Sequence, residues 1–448
     1  MLSVLADRTY RHLFLAQVIA LVGTGLATVA LGLLAHDLAG ANAGAVLGGA
    51  LVIKMIAYIG VGPVANAFVD RLPRRAFLVS MDLVRASVAI LLPFVTQIWQ
   101  AYVLIFLLQS ASAAFTPAFQ AAIPDILPEE DRYTRALSLS RLAYDMESLV
   151  SPMLAASLLT VISFHGLFGG TVIGFLASAA LVVSVVVPQP KPAPREGGIY
   201  ARTTKGARIY LHTPRLRGLL ALNLAAAAGG AMVIVNSVVY VRTLLGRGAD
   251  DVAIALGAFG GGSMVAALLL PRLLEKISDR TVMASAAAGL LAALLAMLGL
   301  TATPSVDHWV ALLVIWPLLG ACYSAILTPS GRLLKRSASD ADRSAVFAAQ
   351  FALSHGCWLV TYAVAGPLGA MIGMPATLAV LASLTLIGLI VALYVWPRHD
   401  PEIVRHRHDD LPADHPHLKD GHATARSEHE HPMVIDALHA HWPRTGPT

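Results

Sequence analysis

Polar positions in this chain are gathered into short bands, and between them run apolar stretches long enough to cross a membrane. A helix needs about 20 predominantly apolar residues to span the hydrocarbon core. Twelve stretches qualify, at roughly 13–35, 44–69, 76–96, 99–121, 138–163, 166–187, 217–243, 250–271, 281–302, 308–331, 343–370 and 374–396. Glycine and proline recur inside them, as membrane helices tolerate. The pattern predicts an all-α polytopic membrane protein with twelve transmembrane helices.

One stretch breaks the pattern. Between Asp131 and Leu159 a charged connector runs into the fifth span, and Arg141, Asp145 and Glu147 fall in that span's first half. A charge at bilayer depth costs at least about 2.5–3.5 kcal/mol, so such residues usually face a bundle interior or a watery cavity.

Composition agrees with a membrane location. The chain is 56% hydrophobic and only 13% charged, with mean hydropathy +0.68, whereas soluble domains carry roughly 25% charged residues. Cys322 and Cys357 both lie in apolar spans and imply no disulfide framework or familiar metal-ligand spacing. Asp7, Arg8 and Arg11 precede an apolar stretch longer than the roughly 7–15 residues of a cleavable signal core. No phosphate-binding glycine loop, metallohydrolase motif or nucleophile elbow is visible, so an enzyme is not expected.

Charge is distributed unevenly. The net charge is +5, yet from Pro397 onward six Lys/Arg meet nine Asp/Glu, leaving −3 on the tail and +8 on the preceding 396 residues. Those cations lie on loops and form no aromatic-studded patch, which argues against a nucleic-acid partner. They concentrate on alternate connections: Arg71, Arg74 and Arg75; Arg132 and Arg135; Arg272, Lys276 and Arg280; Arg332, Lys335 and Arg336; and the 188–216 linker. The remaining connections hold little beyond Arg242 and Arg247. The positive-inside rule places both termini and the linker in the cytoplasm.

The polar, proline-rich linker divides the chain into an N-terminal six-helix bundle (1–187), the linker (188–216), a C-terminal six-helix bundle (217–396) and a histidine-rich, mostly disordered tail (397–448). The halves echo each other. Thr116-Pro117 recurs as Thr328-Pro329, Asp131-Arg132 as Asp342-Arg343, Asp70-Arg71 as Asp279-Arg280 and Pro152 as Pro367, at offsets of 212, 211, 209 and 215. Pairs in one order at nearly one spacing indicate a duplicated six-helix unit, as in transporters built of parallel repeats.

Over about residues 8–396 the chain resembles the major facilitator superfamily. The loop DRLPRR (Asp70–Arg75) matches that family's Gly-x-x-x-Asp-Arg-x-Gly-Arg-Arg motif at Asp70, Arg71, Arg74 and Arg75, with Asn66 and Pro73 in place of its glycines. The second copy keeps only Asp279 and Arg280. The resemblance implies that these loop charges lock one face of the carrier and release it as the bundles rock; a purely topogenic loop is the alternative. Asp82, Arg85 and the Arg141…Tyr144…Glu147…Ser151-Pro152 pattern look like the siderophore- and metal-exporter branch.

Buried ionisable groups are the candidates for transport chemistry. Lys54 and Glu147 sit near the midplane of their spans, and His355 falls mid-span in the eleventh. In the superfamily architecture these spans face the contact between halves, so all three would share a cavity suited to proton coupling. Each has a plainer alternative: Lys54 as a permanent structural ion pair, and His355 as a packing residue donating to a carbonyl. For Arg141 and Asp145, four apart, mutual neutralisation is the alternative. Gln17, Gln109, Asn223 and Asn236 lie on spans that line the superfamily's cavity, where helix–helix hydrogen bonding is the competing role.

The tail carries ten of the sixteen histidines. His406/His408, His415/His417, His429/His431 and His439/His441 are each separated by one residue, and His422 stands between them, with Asp and Glu interleaved. Imidazole and carboxylate suit nickel, cobalt, zinc or copper, so transition-metal ions held by the tail are the one cofactor expected; a solvated tail with incidental histidines is the alternative. Its segment MVIDALHAHW is expected to form a short amphipathic helix. Similar tails occur in nickel- and cobalt-resistance exporters of the resembled family.

The resulting expectation is a monomeric, multi-pass transporter of the inner (plasma) membrane, surrounded by lipid. It would exchange protons for a divalent transition metal or small metal chelate. The alternative is efflux of organic solutes, drugs or siderophores, and a membrane metal sensor ranks behind both.

Overall fold

The computed structural model describes residues 2–39, 43–69, 72–189, 199–302, 307–400, 403–407, 428–436, 438–439 and 442. After a short 3₁₀ turn at Leu2–Ala6, six long helices form the N-terminal half. They are α1 (Arg8–Ala39), α2 (Ala43–Ile56, continued through a π-turn at Ala57–Val61 into Gly62–Val69), α3 (Arg74–Leu91), α4 (Ile98–Ile126), α5 (Glu130–Leu158) and α6 (Phe164–Val183). A connecting helix, α7 (Ile199–His212), leads into the C-terminal half. There follow α8 (Pro214–Val238, with a π-turn at Val239–Leu244), α9 (Ala249–Leu274), α10 (Asp279–Leu300), α11 (His308–Leu327) and the short α12 (Ser330–Arg336). The half closes with α13 (Arg343–Ala363, with a π-turn at Val364–Leu368) and α14 (Gly369–Val395). Gly373, at φ 80°, turns the chain inside α14, so that its first residues complete the path of α13 and the rest returns across the bundle.

Among the described residues, ten helices are long and apolar enough to cross a membrane. The two long helices outside that group are α5 and α13, which are too polar for it and hold equivalent fifth and eleventh places in the two halves. The outer surface is one that water would not accept: Val161, Val186, Met371 and Tyr394 are each more than three-quarters exposed. Such a shell belongs against lipid.

Close helix packing is bought with small residues. A Cβ on Gly262 of α9 would lie 1.9 Å from the Pro317 carbonyl oxygen, and one on Gly320 of α11 the same distance from that of Phe259. In the N-terminal half Gly174 of α6 packs onto α1, where a Cβ would sit 3.1 Å from the Ile19 carbonyl oxygen. Also buried there is the ion pair of Asp82 and Arg85, with Ser178 donating to Asp82 at 2.8 Å and the guanidinium 4.2 Å from the Phe115 ring and 4.5 Å from that of Phe175. Pairing, hydrogen bonding and aromatic faces together offset the desolvation of two charges.

Three features differ from the hydropathy pattern. Helix α5 starts at Glu130, eight residues before the apolar run, because Glu130 and Asp131 favour a helix N-terminus and the first turns lie beyond the apolar layer. The linker's second half is helical: α7 buries Ile209 and Tyr210, and Tyr210 donates to Gln350 of α13 at 2.5 Å. In the tail, β1 (Ile403–Arg407) and β2 (Glu428–Pro432) pair as an antiparallel ribbon, and Met433–Asp436 is irregular chain, not the expected amphipathic helix. Met433 and Ile435 are buried, with Ile435 in the C-terminal core, so tertiary contact has set that segment's shape.

Candidate functional site

Two arrangements join the halves, one at mid-depth and one at the face carrying the basic loops. At mid-depth, Arg141 and Asp145, one turn apart on α5, form an ion pair. Ser263 of α9 completes it from the other half, its hydroxyl accepting from Arg141 Nε at 3.3 Å and donating to Asp145 at 2.6 Å. The Arg141 guanidinium also lies 4.8 Å from the ring of Tyr323 on α11. The two charges do neutralise each other, and they also stitch the halves together.

Half a turn further along α5, Glu147 points to a different neighbourhood. Its carboxylate lies beside Gly25 of α1, where a Cβ would come within 3.1 Å of it and 2.2 Å of Ser151. Lys54 of α2 acts on it electrostatically, yet no ion pair within 4.0 Å joins the two among the described residues. The Lys54 ammonium stands 5.4 Å from the Tyr58 ring, and its charge also reaches His355. Tyr58 is the hub. Its hydroxyl donates to Gln109 at 2.9 Å, and its ring meets His355 at 4.6 Å and Phe351 at 4.9 Å across the interface between halves. His355 Nδ1 is 2.7 Å from the Phe351 carbonyl, which can only accept, so that nitrogen carries the proton and Nε2 is left for other partners. Further along α13, Trp358 contacts Tyr323 and Tyr362.

The amide side chains divide by role. Gln17 accepts from Ser140 at 3.2 Å and bonds Tyr144, which places it beside the α5 charges. Asn223 donates to the Leu219 carbonyl in its own helix at 2.9 Å, a local bond. Asn236 donates at 3.2 Å to the carbonyl of Ala365, within the π-turn of α13, and so serves helix–helix bonding.

The second arrangement closes the basic face. Asp125, at the end of α4, binds Arg74 of its own half at 2.6 Å and Arg343 of the other half. Arg332 of α12 reaches across to Glu130 at 2.5 Å and Thr134 at 2.8 Å, while Asp279 holds it at 3.1 Å within its own half and Arg336 at 3.4 Å. Lys335 donates to the Pro128 carbonyl at 2.5 Å, and Lys205 of α7 pairs with Asp342 at 2.5 Å. Of the loop residues singled out by motif, Arg74 and Asp279 belong to this network. Arg75 is exposed; Arg280 instead donates to the carbonyls of Trp396 at 2.9 Å and Leu393 at 3.1 Å, capping α14. Asp70 and Arg71 lie outside the described residues. Motif reading missed Asp125 and Glu130, and took Arg332 only as a topogenic charge; the loop motif at Arg74 and Asp279 and the recurrence of Asp342-Arg343 were the signals that pointed here.

Among the described residues no three His, Cys, Asp or Glu side chains converge as a metal site. His408, His415, His417, His422 and His441 lie outside them. His406 and His429 are opposite each other in the ribbon's register, and His431 and His439 rings touch at 5.0 Å.

Two helical halves joined around mid-depth charges, with a salt-bridged closure at one face, define a membrane transporter. The family model described as Major Facilitator Superfamily matches residues 13–301 and 219–424, and the chain belongs to that superfamily. It is similar to macrolide efflux protein A of Enterococcus faecalis, 27% identical over 153 residues, which are 32% of this chain and 47% of that protein. An uncharacterized MFS-type transporter, YfiS of Bacillus subtilis, is 26% identical over 141 residues, 30% of this chain and 34% of its own length. The matches thus span about half or less of these curated relatives. Solved structures share the fold over most of both chains: the human organic anion transporter MFSD10 (TM-score 0.72, 12% identity, 86% of this chain and 99% of that one) and a bacterial homologue of the iron transporter ferroportin in its outward-facing state (0.69, 13%, 87% and 98%).

Proposed function

We propose that this protein is a proton-coupled exporter of amphiphilic organic solutes, working by alternating access in the inner membrane with both termini in the cytoplasm. The observation that carries the cargo class is the aromatic cluster at the junction of the halves. Tyr58, Phe351 and His355 stand there together, with Lys54 and Glu147 alongside. Ring faces with one cation and one carboxylate suit a large apolar solute carrying a polar handle. Glu147 is the proton carrier and Lys54 its electrostatic counterpart. The cations on its loops support a cytoplasmic place for the closed face, which makes this conformation the outward-open one in the proposed cycle. Relatives named as macrolide efflux proteins support export and an organic cargo.

The test is a tolerance profile. Cells expressing the protein, compared with cells expressing Glu147→Gln, are challenged with macrolides and cationic dyes and, separately, with nickel and cobalt. Protection against organics that is lost in the variant supports the reading; unchanged tolerance to every organic removes it. A second reading, export of a divalent metal, is supported by the histidine-rich tail, and protection against nickel or cobalt alone would favour it.

A further inference from the structure

Hydroxyls inside the long helices commonly follow one habit in this protein. Thr24, Ser112, Ser157 and Thr385 each donate to the carbonyl four residues back in their own helix, at 2.9–3.0 Å. That bond satisfies the hydroxyl without help from a neighbouring helix. Ser151 of α5 departs from it: the residue is 1% exposed, yet its Oγ has no hydrogen-bond partner among the described residues. A buried hydroxyl left unbonded lowers stability, so a partner in another state of the protein is the natural account of it.

The candidate partner is one turn away. Glu147 and Ser151 are four apart and share a face of α5. Both side chains lie against Gly25 of α1. A Cβ on Gly25 would stand 3.1 Å from Glu147 Oε1 and closer still to Ser151 Oγ, so one small space, kept open by the missing side chain, adjoins both oxygens. Pro152 brings no N–H to the Ser148 carbonyl, which loosens α5 at this turn. The groups that act on Glu147 by charge are Lys54 of α2 and Tyr144 of α5, and Gly25 brings none from α1.

A charged Glu147 is drawn toward Lys54 and can only accept hydrogen bonds. Protonated, it loses that attraction and gains an O–H that needs an acceptor in apolar surroundings. We propose that Ser151 is the positioning residue for proton-loaded Glu147, its Oγ accepting the carboxyl hydrogen in the space beside Gly25. Glu147 thus has one seat for each protonation state: the field of Lys54 when charged, the Ser151 hydroxyl when neutral. The inference rests on Glu147 being the proton carrier. It adds where the carried proton is held, and it makes the contact of α1 with α5 part of the coupling step.

The test is infrared difference spectroscopy of the full-length protein in lipid, acidified stepwise, which reads protonated carboxyl groups without transport. A carbonyl band absent from Glu147→Gln identifies protonated Glu147. In Ser151→Ala that band should move to higher frequency, as a carboxyl that loses its hydrogen-bond partner does. Proton-driven transport should fall roughly 2–10-fold, the equivalent of one ordinary hydrogen bond. The melting temperature should not fall, because alanine removes a hydroxyl that bonds nothing in this conformation. Ser157→Ala, on an exposed part of the same helix, should leave the band unmoved. A Glu147 band at unchanged frequency in Ser151→Ala overturns this inference alone, as does an equal shift in Ser157→Ala. If no band depends on Glu147, the proton-carrier reading falls and this inference with it.

Discussion

Arg343→Gln tests the closure of the basic face most directly. Arg343 is 7% exposed and Asp125 15%, and their bond crosses between residues 218 apart in sequence. In the proposed form open at this face, Arg343 is released from Asp125 and keeps its neighbour Asp340, whereas Asp125 keeps Arg74. The substitution therefore removes an interaction present only in the closed form. A hydrogen bond to a charged group contributes about 1.5–3 kcal/mol. At about 1.4 kcal/mol per tenfold, the equilibrium should move toward the form open at this face by roughly 10–100-fold. Spin labels at Leu72 and Glu275, on loops of opposite halves, read the separation in a chain freed of Cys322 and Cys357. The unaltered protein should show mainly the shorter distance, and Arg343→Gln should add a longer one. Asp340→Asn is the control: its side chain is 71% exposed, so it should change the distribution little, as exposed pairs contribute about 0–1 kcal/mol. An unchanged distribution in Arg343→Gln would falsify the claim that this bond holds the face shut.

Other outcomes follow from the same geometry. Exchanging the charges of the second cross-half pair, Glu130→Arg with Arg332→Glu, should restore much of the transport lost in Glu130→Arg alone; a double variant no better than the single would show that the pair does not act as a unit. Arg85→Ala strands Asp82 in the N-terminal core, and loss of a buried partner costs about 3–5 kcal/mol, so the melting temperature in detergent should fall clearly; an unshifted melt would contradict the burial. Glu147→Gln should abolish transport driven by a proton gradient while retaining exchange of labelled for unlabelled solute across vesicles. Loss of both activities together would make Glu147 a structural residue.

The spans were legible because bilayer thickness is written directly into the length of apolar runs. The gathering of cations on alternate connections was legible for a similar reason, since charge is local to sequence. What sequence could not supply was partnership. Asp125 and Glu130 look like ordinary helix-end carboxylates until Arg343 and Arg332 arrive from the other half. Asn223 and Asn236 look alike as polar groups in a lining helix, yet one is satisfied by its own helix and the other by a carbonyl in a π-turn, a local geometry with no hydropathy signal. The start of α5 and the whole of α7 were missed because neither is an apolar run of membrane length, so the 20-residue rule does not reach them. Lys54 and Glu147 stood out because a charge inside an apolar span is conspicuous; Tyr58, which binds Gln109 and meets His355 across the interface, did not, because an aromatic residue in an apolar run is not.

The contacts that shut the basic face have a direction. Arg343, Arg332 and Lys335, all from the C-terminal half, supply the hydrogens, and Asp125, Glu130, Thr134 and the Pro128 carbonyl of the N-terminal half receive them. Two copies of the first repeat placed face to face would set carboxylate against carboxylate, and two copies of the second would set cation against cation. The repeats still share a fold, but they have ceased to be interchangeable. Each now recognises the other and rejects its own kind, so a single-repeat homodimer could not form this closure.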